Sequence, residues 1–132
     1  MLFRSDNTGA VVLSQQVAFV SGATASVVIP AGSIINNIQV YVNDAATSRA
    51  LSLTVNGTTT SVGTISTAAL GVASAAFTAD AAVANLLANV GAYNCTVTLG
   101  TESSSAGTLS VTYTARNSDG TITPYGSGLT NS

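Results

Sequence analysis

Lysine, histidine and tryptophan are missing altogether from this chain of 132 residues. Charged residues make up only 6% of it, where an average soluble domain carries about 25%. Three cations, Arg4, Arg49 and Arg116, stand against five acids, Asp6, Asp44, Asp80, Glu102 and Asp119, for a net charge of −2. With no basic cluster to neutralise phosphates, a nucleic-acid partner is not expected. The same lack argues against electrostatic docking on an anionic membrane. One cysteine, Cys95, and no histidine cannot build a tetrahedral zinc site, and no cofactor is implied. A serine or cysteine nucleophile would have no imidazole or lysine amine beside it as base. The five acids form no close pair in sequence that would suggest glycoside hydrolysis. An enzyme is therefore not expected.

Other absences bound the setting. A single cysteine allows no intrachain disulfide and fits synthesis in a reducing cytoplasm. The mean hydropathy of +0.47 is high, but Ser, Thr, Asn and Gly interrupt every apolar run. No window reaches the roughly 18 residues that a spanning helix needs. The opening MLFRSDNTGA has no apolar core or cleavage pattern of an export signal.

What is present is period-two alternation from end to end. In VVLSQQVAFV, Val17 and Phe19 share one face and Gln16 takes the other. Ala25, Val27 and Ile29 alternate with Thr24, Ser26 and Val28, and Pro30-Ala31-Gly32 then makes a turn. The next strand sets Ile34, Ile38, Val40 and Val42 inward, with Ile35, Asn37, Gln39, Tyr41 and Asn43 on the other parity. Leu51, Leu53 and Val55 point inward before Asn56-Gly57, the strongest hairpin signal in the chain. TTTSVGTI pairs back from that turn, and GVASAAFT is a weaker strand. Cys95, Val97 and Leu99, then Leu109, Val111, Tyr113 and Ala115, complete the inward set. The rhythm changes once: Val83, Leu86, Leu87 and Val90 recur at helical spacing. Thr78 or Asp80 is placed to cap that segment and Gly91 to end it.

The expected fold is all-β, a two-sheet sandwich of about eight strands, jelly-roll-like, with one short helix near residues 79–90. Residues 1–10 read as an N-terminal arm, 11–116 as the sandwich and 117–132 as a C-terminal tail. Asp44, Asp80, Glu102 and Asp119 fall in expected loops, and NSDGT offers oxygen ligands of the kind calcium takes. Its plainer reading is a β-turn. By its parity Cys95 is a buried thiol rather than a nucleophile.

The strand IPAGSIINNIQVYVNDA, the hairpin at Asn56-Gly57 and the closing GTLSVTYTAR together resemble small virion structural proteins of tailed bacteriophages. In that group a strand entering a Pro-Gly turn and a last strand of the G-x-L-x-V-x-Y kind recur. The resemblance spans roughly residues 10–116. It implies a capsid decoration or cement protein, assembled in the host cytoplasm into the virion. It also implies a homotrimer or larger ring whose partners are its own copies and the major capsid protein or another virion protein.

The residues themselves point to an interface. A surface built of Ser, Thr, Asn, Gln and Ala repels its copies weakly, and its smallest side chains lose the least entropy when covered. Asn37, Gln39, Tyr41 and Asn43 can hydrogen-bond a neighbour without the desolvation penalty of charge. An uncovered strand would ordinarily carry Lys or Glu. Arg4, Arg49 and Arg116 are candidate interface anchors, as Arg is favoured at such contacts. Tyr41 and Tyr125 are the exposed aromatics that an alternative role would use, a glycan- or receptor-binding module of a tail fibre or adhesin. A third reading is a bacterial surface matrix protein.

Overall fold

A computed structural model describes residues 11–115; the arm at 1–10 and the tail beyond residue 116 lie outside that range. Eight strands and one helix follow in order: β1 (Val11–Phe19), β2 (Ala25–Ile29), β3 (Ile34–Asp44), β4 (Ser48–Val55), β5 (Thr58–Ser66), β6 (Gly71–Phe77), α1 (Ala81–Ala88), β7 (Cys95–Leu99) and β8 (Ala106–Ala115). All strand pairs are antiparallel. The spatial order is β1-β8-β3-β6-β5-β4-β7-β2, one continuous ladder curled into a near-barrel.

β6 makes the continuity. Its residues Gly71 to Ser74 pair with β3, whereas Ala75 to Phe77 pair with β5. At the other flank β1 and β2 lie side by side without a ladder between them.

Alternation places the core as expected over most of its length. Phe19, Val27, Ile29, Ile38, Val40, Val42, Leu51, Leu53, Cys95, Val97, Leu99, Leu109, Val111 and Tyr113 are all buried in one cluster. The hairpin at Asn56-Gly57 has positive φ at both turn residues (49° and 79°), the type I′ arrangement that suits the strand twist. Asp80 caps α1, its side chain accepting the Ala82 amide at 2.7 Å. The helix buries Val83 and ends at Ala88, where Asn89 rather than Gly91 is the C-cap, its backbone amide donating to the Asn85 carbonyl.

Of the three register slips in the ladders, two redirect core side chains against simple parity. In β3 the register slips between Ile35 and Asn37, so Ile35 faces the core and Ile34 is only half-buried, the reverse of the alternation. Asn36 is the extra residue, and its amide donates to the Thr114 hydroxyl at 2.9 Å. In β5 the slip falls at Val62, which lets Val62 and Ile65 both point inward although they differ in parity. Gly63 beside it has φ of +150°, and its backbone touches β6 so closely that a Cβ would collide with the Ala76 carbonyl.

Candidate interaction surface

The outer side of β1, β8, β3 and β6 is built from rows of residues in register. Ser14, Thr112 and Asn37 make one row, and Gln16, Ser110, Gln39 and Ser74 the next. Ala18, Thr108, Tyr41 and Val72 make a third. None of these eleven positions is charged. The amide and hydroxyl groups bond sideways to each other: Gln39 donates to the Ser74 hydroxyl at 3.4 Å, and the Ser14 and Ser110 hydroxyls lie 3.2 Å apart. Tyr41 and Val72, adjacent in register, are 41% and 60% exposed and form one apolar spot on this face, with exposed Val12 on β1 another.

Of the residues expected at an interface, the fold thus gathers Asn37, Gln39 and Tyr41 on one face. Asn43 is exposed at the end of β3, where a second register slip precedes Asp44. Arg4, Arg116 and Tyr125 lie outside the described residues.

The opposite side carries a second uncharged face that residue type alone did not single out. Ser26, Thr98, Ser52 and Ser61 form one row, and Val28, Thr96, Thr54 and Thr59 the next. The Thr54 and Thr59 hydroxyls are 2.9 Å apart, and those of Ser26 and Thr98 are 3.3 Å apart. The signal was in the sequence as hydroxyl residues at every second position of SLT, TTTS and CTVTL. Both faces offer donors and acceptors without net charge, so they suit a neutral polar partner and provide no long-range steering.

Arg49 departs from the expectation of a surface anchor: it is 1% exposed. It shares the inward parity of Leu51 and Leu53, and its stem passes into the end of the barrel. There Nη1 donates to the Ala23 and Gly100 carbonyls at 2.8 and 2.9 Å. Nη2 donates to the Val20 and Ser105 carbonyls at 2.9 and 3.1 Å, and Nε to the Ser105 hydroxyl at 2.8 Å. The guanidinium also lies over the Phe19 ring, 4.8 Å from its centroid. Ser105 supplies two of these acceptors from a backbone with φ of +148°, a conformation that costs a non-glycine residue about 1–3 kcal/mol.

Glu102 completes the cluster. One carboxylate oxygen accepts the Thr47 and Ser48 amides at 2.7 and 2.9 Å. The other accepts the Thr67 hydroxyl at 2.6 Å and stands 4.0 Å from Arg49 Nε. Burial acts to raise the Glu102 pKa, but hydrogen bonds from Thr67, Ser48, Thr47 and Ser105 outweigh it and hold the group below the ordinary carboxylate value. Burial lowers the Arg49 pKa, with Glu102 acting in the opposite sense.

The remaining candidate chemistry is sparse. Burial pushes the Cys95 thiol up to about 11. Iodoacetamide at pH 8 is accordingly expected to leave Cys95 unmodified in the folded protein and to alkylate it fully in denaturant, with mass spectrometry as readout. Rapid native labelling would contradict the burial. Among the described residues no three His, Cys, Asp or Glu side chains cluster to hold a metal ion. No helix among them is long and apolar enough to cross a membrane. Compared with known proteins, the chain matches no family model, no curated protein and no solved structure.

Proposed function

We propose that the chain is a non-enzymatic virion structural protein, a capsid decoration or cement subunit of the tailed-phage type. On this reading it acts as a homotrimer or larger ring and stabilises the head through contacts among its copies and with the major capsid protein. The observation that carries the reading is the pair of uncharged outer faces. They are rows mostly of Ser, Thr, Asn and Gln, with Ala18, Val28, Tyr41 and Val72 among them, from which every described charged residue is missing: Asp44 ends a strand, Asp80 caps the helix, Glu102 sits in a loop and Arg49 is buried. Such faces lose little when another neutral surface covers them.

The strand order supports the finer architecture of this proposal. Divided within β6, it reads as two four-stranded groups, β1-β8-β3-β6 and β2-β7-β4-β5, which on this proposal are the two layers of the sandwich. Successive strands from β1 to β4 alternate between the groups, which is the winding of a jelly roll.

Light scattering on the purified full chain tests the assembly. A trimer or larger species is expected, and Gln39→Lys with Tyr41→Lys should shift it towards monomer by placing charge in a covered row. A strict monomer at high concentration would overturn the reading, as would failure to co-sediment with expanded heads of its phage. A second reading, a glycan-binding module, is favoured by one observation, the exposed Tyr41 ring beside exposed Val72. It predicts saturable polysaccharide binding that Tyr41→Ala abolishes.

A further inference from the structure

Four loops close one end of the barrel, residues 20–24, 45–47, 67–70 and 100–105, and the Arg49–Glu102 pair bonds to all four. Arg49 holds the first and last by carbonyls of Val20, Ala23, Gly100 and Ser105. Glu102 belongs to the last and holds the second and third through Thr47 and Thr67, together with Ser48 at the start of β4. The loops also bond to each other: Gly22 donates to the Glu102 carbonyl at 2.7 Å, Ala46 to the Thr67 carbonyl at 2.8 Å, and Thr67 to the Thr47 carbonyl at 3.1 Å. The side chains that reach across the end are one guanidinium and one carboxylate, beside these backbone bonds.

We propose that the Arg49–Glu102 pair makes these four loops a single cooperative unit, released ahead of the rest of the barrel when Glu102 is protonated. A protonated carboxyl keeps acceptor capacity but loses its charge. The bonds from Thr47, Ser48 and Thr67 then lose their charge assistance and the guanidinium loses its counter-ion. Because the folded protein holds the Glu102 pKa below its ordinary value, the stabilisation is present above that value and disappears as pH falls through the folded one. The charged group facing Glu102 is Arg49, from β4. Among the described residues, the other packed elements offer it amides and hydroxyls, from Thr47, Ser48, Thr67 and Ser105. Asp44, the other described carboxylate at this end, makes no ion pair or hydrogen bond with it among the described residues, and Asp80 caps the helix at the far end. The device is independent of what partner the outer faces meet.

Residue-resolved amide exchange from pH 6 to pH 3, corrected for the intrinsic chemical rate, tests this on the full chain. The reporters are the amides of Gly22, Ala46, Thr47, Ser48 and Thr67. The controls lie at the other end, where Gly32 donates to Gly91, Val90 to Ser33 and Thr78 to Val62. On acidification the five reporters are expected to accelerate together by about tenfold or more relative to the controls. In Glu102→Gln they should already exchange fast at pH 6 and show no further acid response. Thr67→Val, which removes one bond to the carboxylate, should move the wild-type transition to higher pH. Acceleration confined to Thr47 and Ser48 would overturn the proposal, because those amides touch the carboxylate directly. So would simultaneous acceleration of the controls, or an acid response that survives in Glu102→Gln. If Glu102→Gln does not fold, the wild-type titration and Thr67→Val still decide.

Discussion

Arg49→Met is expected to lower the unfolding free energy by about 3–5 kcal/mol, the cost of breaking a buried ion pair by removing one partner. That is a large share of the roughly 5–15 kcal/mol that holds a domain of this size together. The methionine fills much of the volume, so the loss is chiefly polar. Four carbonyls and the Ser105 hydroxyl are left without their donor, and Glu102 without its cation. Arg49→Lys should recover only part of the loss, because one ammonium with three donors cannot reproduce five bonds in a planar fork. Equilibrium urea unfolding checks both, with an unchanged m-value showing that the folded and unfolded states remain comparable. Adding Glu102→Gln to Arg49→Met should cost less than the sum of the single effects, since the two share one network. A loss under about 1 kcal/mol for Arg49→Met would mean that water replaces the guanidinium at the barrel end.

Gly63→Ala is expected to cost roughly 2–5 kcal/mol, from two terms that act together. The φ of +150° penalises any residue with a Cβ, and the added methyl meets the Ala76 carbonyl with no side chain able to yield. Gly63 pairs with Phe77, so the methyl pries β5 from β6 along the three-residue ladder of Gly63, Thr64 and Ile65. The same urea titration measures the loss. Faster exchange of the β5–β6 amides, with β4–β7 amides unchanged, would locate it. Full stability in the variant would show that the bulge at Val62 can relax.

The parts of this fold legible in the sequence are those set by neighbours along the chain. Leu51 and Leu53, or Cys95, Val97 and Leu99, need only the period of a strand to find the core. Asn56-Gly57 carries its turn in its own φ preferences, and Asp80 its helix cap. The bulges were not legible, because an extra residue in one strand is defined only by the partner strand. Asn36 becomes the odd residue through its pairing with β8, and Ile35 turns inward as a consequence. Arg49 is more instructive. Its parity with Leu51 and Leu53 pointed inward, but residue type favoured the surface, since a lone arginine is seldom fully buried. What overrode that preference is five acceptors from two loops about 25 and 50 residues away along the chain, which no local pattern announces. The uncharged face around Gln39 was read from β3 alone. That it continues across β8 and β1 needed the strand order.

Closure of the barrel is unequal on its two flanks. At β6 the backbone itself crosses from one half to the other, while β1 and β2 meet only by proximity. The curled sheet is therefore stitched like a book at β6 and unstitched at its fore-edge, the β1–β2 margin. Thermal breathing should part the leaves along that margin first, wetting Phe19 and Val27 before Ile65.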